Sequence, residues 1–305
     1  MIEKRLRKLL EPKTRQLLID AFSDEICELS SILGRDLSHW LKKRITNFLE
    51  HKVPESTNYR EWIYKDYASR FQDAKPTFDV KAADRWGHST TKHLRNWLPK
   101  DKNSKILELA CGGGKLLHLL KKKGYTNLNG VDISPEQVSL SKQVTENIIE
   151  ANVLDFLKTE TEKYDLVIGM DIIEHFEKEE AVEFLKACLK TLKPDGRIIL
   201  QTPNSESPWS GSIRYGDFTH EICFSPNCLA RVLKLIGFDK IELRETGPVI
   251  HGFKSLLRCI AWKFIRLCLK IWNLAETGGT GSGVFTRTFL ASGTVASTEN
   301  DLINK

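Results

Sequence analysis

From Lys105 onward, short apolar stretches rich in β-branched residues alternate strictly with amphipathic helical stretches. That alternation is the pattern of parallel strands joined by crossover helices, and few folds satisfy it. The strands read as 104–109, 127–132, 147–152, 164–170 and 197–202, followed by 238–245 and 284–293. The helix after the second strand opens Ser134-Pro135-Glu136-Gln137, which offers a capping hydroxyl, a proline in the first turn and a glutamine at the reciprocal capping position. Lys193-Pro194-Asp195-Gly196 is expected to stop the helix before the fifth strand, and Gly237 the one before the sixth.

The 305 residues leave room for more than this α/β core. Residues 1–98 read as an N-terminal helical region, with apolar positions such as Leu6, Leu9 and Leu10, then Leu37, Trp40, Leu41, Ile45 and Leu49, at spacings of three and four. An aromatic stretch follows (Tyr59, Trp62, Tyr64, Tyr67, Phe71, Trp86), then a helix through His93 and Trp97; such stripes usually pack helices rather than touch ligands. The α/β domain is expected over 99–293, with a helical insertion at 247–283 and a polar, flexible tail at 294–305. Seven scattered cysteines, never spaced as Cys-x-x-Cys, argue against a disulfide framework or a zinc site and fit a reducing cytoplasm. Charges among the first six residues, and the lack of a long uncharged apolar run, predict a chain neither exported by a signal peptide nor threaded through a bilayer. A net charge of +6, with basic residues crowded near the N-terminus and at 253–275, does not imply a surface coated by nucleic acid.

The first strand runs through Ile106-Leu107-Glu108-Leu109-Ala110-Cys111 into Gly112-Gly113-Gly114 and then a helix, so backbone can approach a ligand closely there. A dinucleotide fingerprint counted from Gly112 and Gly114 requires glycine or alanine where Leu117 stands. A P-loop requires Ser or Thr after Lys115, and the residue is Leu116. The expected ligand is therefore a nucleoside without phosphates.

These residues resemble motif I of the class I S-adenosylmethionine-dependent methyltransferases, in the branch found in bacterial surface-polysaccharide and quinone biosynthesis. Gly130-Val131-Asp132-Ile133-Ser134 is similar to their second motif, in which a carboxylate at the tip of strand two accepts both ribose hydroxyls. Ala151-Asn152-Val153-Leu154-Asp155 is similar to the adenine segment, with Asn152 where aspartate is usual and Asp155 as the alternative. Tyr164 to Met170 resembles strand four. The resemblance implies S-adenosyl-L-methionine held by Glu108, Ala110, Gly112, Gly114, Asp132, Ile133, Asn152, Val153, Asp155 and Met170. It also implies a Rossmann-like doubly wound sheet of seven strands, ordered 3-2-1-4-5-7-6, with strand seven antiparallel.

Methyl transfer to an alcohol needs a base, and two histidines beyond strands four and five qualify, His175 in Asp171-Ile172-Ile173-Glu174-His175 and His220 in Gly216-Asp217-Phe218-Thr219-His220-Glu221. Each has a structural alternative, a helix start or methionine support for His175 and a loop tie for His220. A metal on Asp217, His220 and Glu221 is an unspecific reading, and none is expected. The Asn/Asp/Ser-Pro-Pro-Tyr/Phe motif of amino-methylating DNA enzymes is absent after Met170, and no nucleic-acid partner is expected. The resemblance implies a small-molecule or glycan acceptor, first a sugar hydroxyl of a surface polysaccharide or its lipid-linked precursor, with a quinone-type phenol as the alternative and a non-catalytic donor-binding scaffold as a further one.

Strands six and seven are separated by about 38 residues, mostly helical in pattern. Within 253–275, Phe253, Leu256, Leu257, Ile260, Phe264, Leu267, Ile271 and Leu274 share one side, Lys254, Arg258, Lys263, Arg266 and Lys270 spread around the opposite half, and no Asp or Glu occurs between Thr246 and Ala275. This is the composition of a helix lying on an anionic membrane, expected on the inner face of the cell membrane; packing on the N-terminal helices or on a second copy is the alternative. Strand six is expected to run parallel to its neighbours, which opens its end on the same sheet edge as the donor pocket.

Overall fold

The computed structural model describes residues 76–296 together with 23–24, 26–33, 59–65, 67 and 69. Residues 26–33 are helical, whereas the helices expected around Leu6 to Leu10 and Leu37 to Leu49, Phe71, and the side chain of Trp62 lie outside the described residues. The chain divides into a first unit ending at Tyr59 and a second from Arg60 to Lys305. The unit that carries the sheet thus begins well before residue 99. Helix α1 (Tyr59–Lys65) and helix α2 (Val80–His93) precede the first strand. Asp79 caps α2 by accepting from Ala82 N at 2.9 Å. Gly87 of α2 lies so near Leu119 that a Cβ would stand 3.2 Å from its Cδ1, and Leu94 and Trp97 just beyond α2 are buried in the same core.

The second unit then alternates as the sequence predicts: β1 (Ile106–Leu109), α3 (Lys115–Lys122), β2 (Leu128–Asp132), α4 (Pro135–Ser141), β3 (Ile148–Glu150), α5 (Val153–Thr159) and β4 (Tyr164–Met170). A 3₁₀ turn (Ile173–His175) leads to α6 (Lys178–Thr191), β5 (Leu192–Pro203), α7 (Ser210–Arg214), α8 (Pro226–Ile236), β6 (Phe238–Glu245), α9 (Phe253–Thr277) and β7 (Thr288–Val295). The sheet order is β3-β2-β1-β4-β5-β7-β6, with β1 to β5 parallel and β7 antiparallel to β5 and β6. Two apolar cores cover its faces, as a doubly wound sheet requires. Leu107, Leu109, Val167 and Ile198 face the layer of α5, α6 and α8, while Ile106, Leu166, Ile168 and Ile199 face α2 and α3.

Four local expectations change. Among the described residues β6 pairs only with β7, antiparallel, so no parallel neighbour flanks it there, yet its end at Glu245 still opens on the edge formed by the tips of β1 to β5. β5 begins at Leu192, and Lys193 to Gly196 form a bulge inside it, since Tyr164 pairs with Leu192 while Leu166 pairs with Arg197. Asp195 takes the left-handed turn there (φ 60°), and Gly196 is needed because a Cβ would stand 2.7 Å from Lys193 O. Ser134 makes no side-chain cap to α4; the Asp132 carboxylate accepts from Ser134 N at 2.9 Å instead. β7 continues to Val295 through pairs Thr294 with Arg197 and Val295 with Phe238, so residues 294 and 295 belong to the sheet and not to a tail. Gly237 does end α8 in the left-handed region (φ 116°).

Candidate active site

β1 and β4 are neighbours whose crossover connections leave in opposite directions, and in such sheets ligands bind at that switch point. Each of the two strands is followed by a non-glycine residue with left-handed backbone, Ala110 (φ 52°) and Asp171 (φ 57°), a strained conformation that clusters at functional sites. After Ala110 the chain turns through Gly112 (φ 52°) and Gly114 (φ 82°) into α3. The two glycines differ in purpose. A Cβ on Gly114 would press on Ser141 at 3.1 Å, so its bareness lets the loop pack on α4. A Cβ on Gly112 would meet nothing nearer than Gln137 Oε1 at 3.9 Å, so the space beside it is open.

Asp132, at the tip of β2 and 7% exposed, accepts from Gly112 N (2.7 Å) with one oxygen and from Ser134 N with the other. Burial raises its pKa, and the Ser134, Gly112 and Ile133 amides partly offset this. A carboxylate has about four lone-pair sites, so it can still accept two hydroxyls of a ligand. Glu108 is buried beneath the loop, and burial together with the charge of Asp132 pushes its carboxyl well above the usual range. Its Oε2 has no partner among the described residues. Asn152 caps α5, its Oδ1 accepting from Leu154 N at 2.8 Å and Asp155 N at 3.4 Å, so that oxygen is committed to the helix. Val153 is buried beside it, whereas Asp155 lies exposed and pairs with Lys158 at 3.7 Å. Ile133 and Met170 are partly buried at the tips of β2 and β4. Beside Met170, Gln201 Nε2 donates to Asp171 Oδ2 at 2.8 Å.

The two histidines come together, with ring centroids 4.9 Å apart. His175 ends the 3₁₀ turn and does not begin a helix; α6 starts later, with a reciprocal capping box between Glu177 and Glu180. Thr219 fixes the tautomer of His175. Its single hydroxyl proton goes to Asp217 Oδ1 (2.6 Å), so its oxygen accepts from His175 Nδ1 at 2.8 Å. The Thr219 carbonyl, 3.2 Å from the same nitrogen, also only accepts. Nδ1 therefore carries the proton and Nε2 the lone pair. Burial, followed by the nearby His220, depresses the His175 pKa to about 4, so the ring is neutral near pH 7. His220 Nδ1 faces the carbonyl of Ile213 at 3.1 Å, which puts a proton on Nδ1 and ties its loop. Asp217 is pulled up by burial, but the Thr219 hydroxyl and amide and the Tyr67 hydroxyl more than compensate and hold it below the usual carboxylate range.

Tyr67 Oη donates to Asp217 Oδ2 at 2.7 Å, and the Tyr64 ring stands edge-on to His175 at 6.4 Å. The aromatic stretch, read first as helix packing, thus supplies two side chains to the histidine cluster. Glu174 is fully buried, accepts from Thr202 Oγ1 at 3.1 Å with Oε2, and has no partner for Oε1 among the described residues. Burial and the charge of Asp171 raise its pKa well above the usual range. Glu174, His175 and His220 bring ligand atoms within 4.8 Å of one another, so the histidines converge with Glu174 and not with the Asp217 and Glu221 set considered from sequence.

A doubly wound sheet with a reversed seventh strand and a glycine turn over a buried strand-two carboxylate is the architecture of class I S-adenosylmethionine-dependent methyltransferases. A family model described as a methyltransferase domain matches residues 81–243, more than half of the chain, and the chain belongs to that family. Among solved structures it resembles a SAM dependent methyltransferase from Archaeoglobus fulgidus, with a TM-score of 0.52 and 20% identity over 75% of this chain and 97% of that one. It also resembles phosphoethanolamine N-methyltransferase 2 of Haemonchus contortus in complex with S-adenosyl-L-methionine, with a TM-score of 0.50 and 14% identity over 77% of this chain and 60% of that one. Similar curated proteins include ubiquinone biosynthesis O-methyltransferases of Actinobacillus pleuropneumoniae, 28% identical over 33% of this chain and 46% of the relative, and of Neisseria meningitidis, 26% identical over 41% and 59%. The chain spans about half the length of these relatives.

Proposed function

We propose that the chain transfers the methyl group of S-adenosyl-L-methionine to a hydroxyl oxygen of a small or glycan acceptor. The observation that carries this reading is one sheet edge that presents an open glycine turn over the Asp132 carboxylate and, beyond β4, a neutral histidine whose Nε2 is left free to accept a proton. The donor, when bound, supplies an electrophilic methyl carbon on sulfur; oxygen forms the new bond to that carbon and sulfur keeps the electron pair of the bond that breaks. The protein's residues bind, orient and deprotonate. Gly112 leaves backbone room for the nucleoside, Asp132 retains lone pairs for the ribose hydroxyls, and the Oε2 of Glu108, without a partner among the described residues, is a buried polar atom beneath the loop. Ala110, Gly114, Ile133, Val153 and Met170 shape the walls, and Asp155 or the free amide end of Asn152 is left for the adenine. His175 Nε2 takes the acceptor hydroxyl proton, with Asp217 and Thr219 holding the ring in the tautomer that does so. His220, 4.9 Å away, is the second candidate for that proton.

For the acceptor, the sugar hydroxyl of a surface polysaccharide or lipid-linked precursor follows from the sequence resemblance. A quinone-type phenol is the second reading, favoured by the naming of the relatives from Actinobacillus and Neisseria. Incubation with labelled donor and an extract of lipid carriers and glycans, followed by product identification, tests both. Label on a sugar or phenol oxygen is expected. Label on nitrogen or carbon, or donor binding without turnover as in a scaffold protein, contradicts the proposal.

A further inference from the structure

The side of α9 that meets the domain is its polar side. Ser255 Oγ donates to Gly252 O at 2.7 Å and accepts from His251 N at 2.8 Å, and Cys259 Sγ lies 3.2 Å from Pro248 O. Trp262 Nε1 reaches Glu245 Oε2 at 3.4 Å, and Arg266 pairs with the same carboxylate at 3.1 Å. Residues 255, 259, 262 and 266 recur at spacings of four, three and four, and so form one stripe on the helix. Phe253, Leu257, Ile260, Phe264, Leu267, Ile271 and Leu274 form a second stripe, centred on the opposite side at about 100° per residue. All seven are exposed, Phe253 by 74% and Phe264 by 68%. Seven large apolar side chains in one row form a patch larger than isolated surface hydrophobics require.

Lys254 and Arg258 flank the apolar stripe on one side and Lys263 on the other; all three are exposed and make no ion pair among the described residues. No acidic side chain occurs from Pro248 to Ala275. Charge therefore selects the occupant. Two copies packed along this stripe would face basic flanks against basic flanks, the reverse of the complementary pairing that helix seams use. Residues 4–8 at the start of the chain, with Lys4, Arg5, Arg7 and Lys8, are basic as well. An anionic lipid surface satisfies both features, taking the apolar stripe below its headgroups while the flanking cations meet phosphate. Like every helix among the described residues, α9 is not long and apolar enough to cross a membrane.

We infer that α9 is a docking arm that lies in the interface of an anionic bilayer with its apolar stripe downward. Anchored at Glu245, it rises from the same sheet edge as the glycine turn and the histidine cluster, so docking turns that edge toward the membrane. If the methyl-transfer reading holds, the acceptor is then presented on a lipid; the docking itself does not depend on that reading.

The test is flotation of the full chain with vesicles of phosphatidylcholine alone and of phosphatidylcholine mixed with phosphatidylglycerol. Mixed vesicles are expected to bind roughly 100-fold more tightly, about fivefold for each of the three unpaired basic residues, and high salt should erase the difference. Phe264→Glu combined with Ile260→Glu should abolish binding without changing the melting temperature, and Lys254→Gln with Arg258→Gln and Lys263→Gln should remove the preference for the anionic lipid. Failure to float, or equal binding to both vesicles, overturns the inference. So does a fall in melting temperature on Phe264→Glu, which means the chain itself covers the stripe, or a dimer in solution that the same change dissociates. Calorimetry with S-adenosylhomocysteine on the same samples separates this outcome from failure of the methyl-transfer reading.

Discussion

A threonine hydroxyl has one proton, and in Thr219 it goes to Asp217, which obliges the oxygen to accept from His175. That single proton sets the His175 tautomer and leaves Nε2 to act as the base. His175→Gln should lower the turnover number about 10²- to 10⁴-fold with little change in donor affinity. Thr219→Val should lower it about tenfold, equivalent to about 1.4 kcal/mol, and Thr219→Ser should recover most of the loss because serine keeps the relay. A group whose folded pKa is depressed to about 4 gives a definite pH signature. The activity profile should stay flat as pH falls through about 6.5, the ordinary histidine value, and decline only near 4 to 5. The stability contributed by keeping the ring neutral is complete above about 6.5, where unfolded and folded rings are both neutral, and is lost as pH falls toward 4. Rates and melting temperatures measured from pH 4 to 8 check both statements. At this scale the sequence showed both histidines, because position after strands four and five is readable. It did not show Tyr67, Thr219 and Asp217 as partners, because a relay between residues 150 positions apart leaves no periodic trace.

The elements divide by whether their signals are local. The glycine turn was legible because an apolar strand, three glycines and an amphipathic helix are consecutive, but the separate duties of the glycines depend on what lies across from them. Gly114→Ala should destabilise the fold by about 2 kcal/mol or more, since it forces a side chain into a left-handed residue and against Ser141. Gly112→Ala should cost only about 1 kcal/mol of stability, the left-handed penalty alone, and weaken the donor instead. Denaturant melts beside donor titrations of the two variants distinguish them. Lys193-Pro194-Asp195-Gly196 misled for a related reason: its turn chemistry is genuine, but tertiary pairing of Leu192 with Tyr164 pulls the strand across it and leaves a bulge. Ser134 had the residue type and spacing of a cap, but its hydroxyl makes no cap bond to the helix and its own amide is held by Asp132, a side chain fixed by the site.

At the scale of the whole molecule, strand order was readable only through the family resemblance, since alternation predicts a parallel sheet without ordering its strands. The amphipathic character of 253–275 was legible from periodicity, yet which stripe faces the domain was not. Glu245, Trp262 and Arg266 decide it by docking the polar side. The sheet edge that carries the glycine turn, the histidine cluster and the root of α9 is the whole of the functional claim, and its core is a phosphate-free nucleoside gripped by one strand-tip carboxylate. Titration calorimetry with S-adenosylhomocysteine tests it most directly. The native chain should bind, Asp132→Ala should bind more weakly by about 1–3 kcal/mol through lost hydrogen bonds to the ribose, and a pyridine dinucleotide should give no heat. No heat with S-adenosylhomocysteine, alongside tight binding of the dinucleotide, contradicts the account at its root.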